Sequence, residues 1–242
     1  VQGYLNVCNI TSATPRQQIR DFAKGVNDLG LWNSMVCWPL RSSQNYGSGD
    51  TVYSLGGLGT FNGTRVNGPT WETYGIQFTA GSPSQAVTIG SLFNDTNDRF
   101  LFGCGRATTN AESNGAIASW LNSPGIGIFP SANKTAVFGG GMVKDFFGTL
   151  AVSQRVFVGF SASSTSMTSF RDAATTDTTA GTLIAESGSL TLGRYSEGNA
   201  ELTGDISIVI AGKGQTLDLA KYQQLYTLYK DTLGTGLGLP LP

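Results

Sequence analysis

The segment TGDISIVIAGKGQTLDLAKYQQLYTLYKDTLG, residues 203–234, passes from an apolar strand pattern into an amphipathic helix across one short polar turn. Asp205 stands where this closing strand begins, so a turn or edge position is its ordinary reading and metal coordination the alternative. In the helix, Tyr222, Leu225, Tyr226, Tyr229 and Leu233 fall on one side. Thr216 is placed to cap the start, and Gly234 follows the end. Such a stripe needs cover. A helix reached from a strand by a short turn is expected to lie back over the edge or face of the sheet it has just left.

Upstream, from Thr51 to Ile210, short apolar runs alternate with turn residues. Candidate strands are YGIQF (74–78), AVTIGSLF (86–93), RFLFG (99–103), AIASWL (116–121), GIGIF (125–129), AVFG (136–139), TLAVS (149–153), RVFVGFS (155–161), GTLIA (181–185), LTLGR (190–194) and GDISIVIA (204–211). No helix-sized crossovers lie between them, which favours a two-sheet antiparallel sandwich or jelly roll over a parallel α/β sheet. The polar stretch 161–181 reads as a surface loop. Before the strands, TPRQQIRDFAKGVNDLGLW (14–32) has Ile19, Phe22, Val26 and Leu29 on one face, with Thr14 and Pro15 suited to a helix start and Gly30 to its end. MVCWPL (35–40) follows as a strand and RSSQNYGSGD (41–50) as a loop. The expected organisation is an N-terminal segment, 1–50, whose helix packs on a sandwich formed by 51–242, the two making one unit.

Composition agrees with many strands and turns: 13% of the 242 residues are charged, 40% are apolar and 33 are Gly. Net charge is −1 and the 15 Lys and Arg are scattered, so no basic stripe exists to release counterions from nucleic acid. No apolar run approaches the roughly 20 residues that span a bilayer, and the N-terminus shows no signal-peptide pattern; neither a nucleic-acid nor a membrane partner is expected. Cys8, Cys37 and Cys104 are far apart and odd in number, which favours buried thiols over a disulfide framework or a zinc knuckle.

The chain has no histidine, which removes Ser-His-Asp and Cys-His machinery and the commonest general base near neutral pH. Two carboxylates suffice for a glycosidase, but Glu72, Glu112, Glu186, Glu197 and Glu201 form no alternating strand motif; the nearest pair, Glu197 and Glu201, falls in an expected loop. The glycines of SLGGLGTFNGT (54–64) and FGGGMVKD (138–145) belong to hairpins or bulges, because neither run contains a phosphate-loop Lys followed by Ser or Thr. Asp95 and Asp98 in FNDTND (93–98) offer oxygen ligands to calcium without the spacing of an EF-hand, and a polar turn is the ordinary reading. Trp120 is the candidate for stacking on a sugar, against a core role as the alternative. Trp32, Trp38 and Trp71 lie beside apolar segments and read as structural. Asn9, Asn62, Asn94 and Asn133 stand in N-x-S/T sequences that chance produces readily in a chain this rich in Asn, Ser and Thr.

Two regions carry a family resemblance. RDFAKGVNDLGLWNSMVCWPL (20–40), followed by VYSLGG (52–57), NGPTW (67–71) and YGIQF (74–78), resembles the opening of laminin G-like, concanavalin A-type jelly rolls found in structural proteins of tailed bacteriophages. LTGDISIVI (202–210) and LDLAKYQQLYTLYKDTLGTGLGLP (217–240) are similar to the last strand and terminal helix of the same family. The likeness covers both ends and roughly half of the chain. It implies a jelly-roll fold, a place on a virion surface as decoration, fibre, spike or tail appendage, and contact with carbohydrate. It also implies a calcium site in some relatives, at an Asp near the start of the last strand, which Asp205 matches.

The expected protein is therefore a non-enzymatic virion component whose partners are other virion proteins, copies of itself and surface glycans. A polysaccharide hydrolase or lyase and a free lectin or adhesin stand as alternatives. Leu237, Leu239 and Leu241 recur at period two in the tail, so one apolar side is expected to lie on a neighbouring subunit, assisting assembly, or on the chain's own sheet. Calcium is the one cofactor entertained.

Overall fold

The computed structural model describes residues 1–242 except 82, 110–114, 121–122, 130–131, 133, 140–141, 148–149, 187, 196–200 and 240–242. The helices are α1 (Gln2–Val7), α2 (Ala13–Asp28) and α3 (Leu219–Asp231). The strands are β1 (Met35–Pro39), β2 (Thr51–Val52), β3 (Leu55–Gly56), β4 (Gly63–Val66), β5 (Thr70–Trp71), β6 (Ile76–Phe78), β7 (Ala86–Ile89), β8 (Arg99–Ala107), β9 (Ala116–Trp120), β10 (Ser123–Phe129), β11 (Lys134–Gly139), β12 (Met142–Phe147), β13 (Val156–Ala162), β14 (Ser166–Arg171), β15 (Ala174–Ala180), β16 (Leu190–Leu192) and β17 (Gly204–Lys213).

They form two antiparallel sheets. Sheet A runs β15-β14-β13-β8-β17-β1-β3, with β6 pairing the first residues of β17 and β5 pairing β6; sheet B runs β12-β11-β10-β9-β16-β7-β4-β2. The chain is a β-sandwich with helices at both ends of the sequence. β1 comes from the first fifty residues, yet it lies inside sheet A against β17.

Strand alternation sends side chains into two cores. Val36 and Trp38 of β1, Val158 and Phe160 of β13, and Val209 and Ala211 of β17 fill the space between the sheets. Cys37, Phe157, Ile208 and Ile210 point the other way, against Ile19, Phe22 and Val26 of α2 and Tyr222, Leu225 and Tyr229 of α3. The amphipathic stripe of α3 thus covers a face of sheet A rather than its edge. An aromatic stack anchors it: the rings of Phe170 and Tyr222 lie 4.3 Å apart, and Phe157 and Tyr229 lie 5.3 Å apart. α2 and α3 approach closely at Gly25, where a Cβ would fall 2.4 Å from Leu228 Cδ1.

Several local expectations are corrected. α3 is capped by Asp218, whose side chain accepts from Lys221 N at 2.8 Å, and not by Thr216; a carboxylate one residue before the helix reaches the free N–H groups of the first turn. Residues 161–181 are not a loop, because β14 and β15 form a hairpin there. β14 buries Met167, Ser169 and Phe170, while the less buried positions of the hairpin carry hydroxyl side chains such as Thr168 and Thr178. GTLIA is irregular, and the described part of TLAVS is irregular and turn rather than strand. α1, which had no expected counterpart, supplies Tyr4 and Leu5 to the helix-side core.

Candidate functional site

The first residues of β17 bring charges together that lie far apart in the chain. Asp205 is the Cα partner of Arg106 on β8, and Arg155 immediately precedes β13, the next strand over. Arg106 Nε donates to Asp205 Oδ2 at 2.6 Å, and Arg155 Nη2 donates to Asp205 Oδ1 at 2.5 Å. The register of β17 shifts between Ile206 and Ile208, where Ser207 is the extra residue. Its hydroxyl accepts from Arg155 Nη1 at 2.5 Å and donates to the Tyr74 carbonyl at 2.7 Å.

Above this floor lies a cleft of about 530 Å³ lined by Tyr74, Arg106, Ser153, Gln154, Arg155 and the tail residues 236–238. Its size falls in the range of small-ligand pockets. Tyr74 is 48% exposed, and the Arg106 guanidinium carbon lies 5.9 Å from its ring centroid. The turn that presents Tyr74 requires Gly75: a Cβ there would fall 2.1 Å from the Ile206 carbonyl oxygen. Arg41 joins the two walls, donating through Nε to Thr73 O at 3.0 Å and through Nη1 to Leu233 O and Thr235 O, each at 2.9 Å. Burial lowers the Arg41 pKa, and nearby Arg155 pushes the same way. Two guanidiniums thus share one carboxylate, and no acidic side chain is among the described residues lining the cleft.

The sequence-derived candidates are placed as follows. Trp120 is fully buried between the sheets, 5.5 Å from the Phe93 ring, so it serves the core and its sugar-stacking role is withdrawn. Asp205 is neither at a turn nor at an edge. It is buried in an interior strand, with both oxygens held by guanidiniums, an arrangement that excludes a cation, so these residues do not fit calcium. Asp95 holds the Asn97 N–H at 3.1 Å and pairs with Lys213 at 2.6 Å, while the Asp98 carbonyl accepts from Gly214 N. Asp95 therefore closes a local polar turn, whereas Asp98 continues the β8–β17 pairing through its backbone. No group of three or more His, Cys, Asp or Glu able to hold a metal ion occurs among the described residues.

Glu201 accepts from Gly81 N at 2.6 Å and from the Ser84 hydroxyl; Glu197 lies outside the described residues. Leu237 and Leu239 pack on the chain's own helix-side core, the second of the two placements expected for the tail; Leu241 lies outside the described residues. All three cysteines are free and buried. No helix among the described residues is long and apolar enough to cross a membrane.

Tyr74, Arg106 and Arg155 were not foreseen. A signal existed in the charge that interrupts the apolar run FLFGCGRA and in the one that precedes VFVGF, but their meeting depends on strand pairing across about a hundred positions. Two further depressions, of about 510 and 320 Å³, flank the partly exposed Trp32. One is walled by α2 residues such as Arg20 and Asn27, the other by Tyr53, Thr60 and Asn62.

No family model matches the chain, and no curated protein matches it. Solved structures share its fold. The chain is similar to a Trypanosoma rangeli sialidase at TM-score 0.63 and 8% identity, covering 91% of this chain and 39% of that one. It is similar to the binding domain of botulinum neurotoxin serotype D at TM-score 0.56 and 8% identity, covering 82% and 52%. The binding domain of botulinum neurotoxin DC, solved with SialylT, aligns at TM-score 0.52 and 15% identity, covering 78% and 50%. The chain therefore spans about 39% to 52% of these neighbours' own lengths, and at such identities the likeness is one of architecture alone, a two-sheet antiparallel β-sandwich.

Proposed function

We propose that this chain is a non-catalytic carbohydrate-binding sandwich, carried as a structural module on the particle of a tailed bacteriophage. The observation that carries the binding role is the cleft: an exposed ring, Tyr74, stands beside fixed guanidinium donors in a depression of saccharide size. A flat aromatic face takes the C–H surface of a pyranose while the donors take its oxygens. Solved neighbours that include a sialidase bound to sialic acid and a toxin binding domain bound to SialylT support this reading. The missing histidine and the engagement of Asp205 by two cations support binding without turnover. The place on a particle rests on the opening and closing motifs of the sequence.

Calorimetric titration with a broad panel of neutral and acidic oligosaccharides tests the binding role. Saturable binding to at least one, weakened in Tyr74→Ala, is expected; no binding across the panel overturns it. New reducing or unsaturated ends on incubation with the same sugars would instead favour a hydrolase or lyase. For the particle role, the chain is expected among the proteins of purified virions of the phage that encodes it, and its absence there would leave a free lectin as the better account.

A further inference from the structure

We propose that the sugar taken by the cleft is acidic, with a carboxylate on its pyranose ring seated on the outer edge of the Arg106 guanidinium and the ring lying against Tyr74. This rests on the carbohydrate reading above and narrows it to a ligand class. Arg106 spends Nε on Asp205 and makes no hydrogen bond to the described residues through Nη1 or Nη2; its side chain is 31% exposed. The Nη1–Nη2 edge of a guanidinium is the fork that grips a carboxylate through two parallel bonds.

Asp205 holds Arg106 in place, but it is shared with Arg155, so one carboxylate faces two guanidiniums, and Arg41, near enough to Arg155 to feel its charge, has backbone carbonyls and no carboxylate as its hydrogen-bond partners. The surplus is positive, on a wall with no acidic member among the described residues. A neutral sugar would leave that charge without a partner, whereas an anionic one supplies it. Tyr74 then places the ring: the Arg106 guanidinium lies over it, 5.9 Å from the centroid, and the side chain stands outside the core, 48% exposed.

Two sources share this chemistry, uronic acids and nonulosonic acids, and the test separates them. The whole chain is titrated calorimetrically with trigalacturonate, with 3′-sialyllactose, with the carboxyl-reduced form of each, with lactose and with inorganic phosphate. One acidic sugar is expected to bind, and its carboxyl-reduced form to bind about tenfold or more weakly, since a hydrogen-bonded pair involving charged groups contributes about 1.5–3 kcal/mol. Arg106→Gln is expected to abolish the difference between acid and reduced forms, and Arg106→Lys to retain part of it. Tyr74→Ala, an exposed change that leaves the ion pairs intact, is expected to weaken the acidic sugar while leaving circular dichroism unchanged. Equal affinity for acid and reduced forms would overturn the acidic assignment and leave the carbohydrate reading standing. Binding of phosphate with no sugar bound would overturn both.

Discussion

Asp205 and Arg155 meet at 2.5 Å with side chains 2% and 6% exposed, and they come from positions fifty residues apart. A buried charge stripped of its partner is costly, about 3–5 kcal/mol, because the remaining ion has neither water nor counter-charge. Asp205→Asn is therefore expected to lower the urea midpoint sharply. Arg155→Met is expected to cost less, because Asp205 keeps Arg106. Equal losses in the two variants would show that Asp205 does not act as the shared anchor.

Tyr222 is held by ring packing and by one hydrogen bond from its hydroxyl to the Asp172 carbonyl. Tyr222→Phe removes the bond alone and is expected to cost about 1 kcal/mol. Tyr222→Ala empties a site touching Phe102, Phe157 and Phe170 and is expected to cost about 3–5 kcal/mol. Chemical denaturation of both variants measures the split between hydroxyl and ring.

Burial pushes the Cys104 thiol up to about 11 and Cys8 up to about 12, and raises Cys37 still further. In the folded protein these thiols stay protonated at a pH where the unfolded chain has begun to release protons. The unfolded state then binds fewer protons than the native one, so stability falls as pH rises above about 8.5. The buried Tyr4 and Tyr229, also shifted upward by burial, act in the same direction. Ellman's reagent at pH 8 is expected to find no reactive thiol in the native protein and all three after denaturation, and the urea midpoint is expected to drop between pH 8 and pH 10.

Leu237 is 9% exposed against the chain's own core, and Thr235 accepts from Arg41. Deleting residues 235–242 is accordingly expected to reduce thermal stability, the reverse of what a tail devoted to assembly would do. Leu237→Ser is expected to reproduce much of the loss, and both are read by melting followed with circular dichroism. An unchanged melt would return the tail to a role between subunits.

The central strands were readable because β1 and β17 are buried on both faces and so run as nearly continuous apolar segments. The helices were readable from their stripes, Ile19, Phe22 and Val26 in one and Tyr222, Leu225 and Tyr229 in the other. Where side chains are small and hydroxylated, as in the β14–β15 hairpin, alternation carries no hydropathy signal and the segment imitates a loop. Trp120 shows the same limit from the other side, since an aromatic ring in a strand does not declare which layer it enters. The cleft was the least legible part. Its residues lie near the ends of strands and in turns, and only the registers of β8, β13 and β17 set Arg106, Arg155 and Asp205 side by side.

β17 gives Val209 and Ala211 to one hydrophobic layer and Ile208 and Ile210 to the other. Neither layer can loosen while its neighbour stays intact, so the molecule is expected to open as a single cooperative block. Occupancy of a site rooted in β17 would accordingly slow amide exchange as far away as the outer strands of sheet B, where nothing touches the ligand.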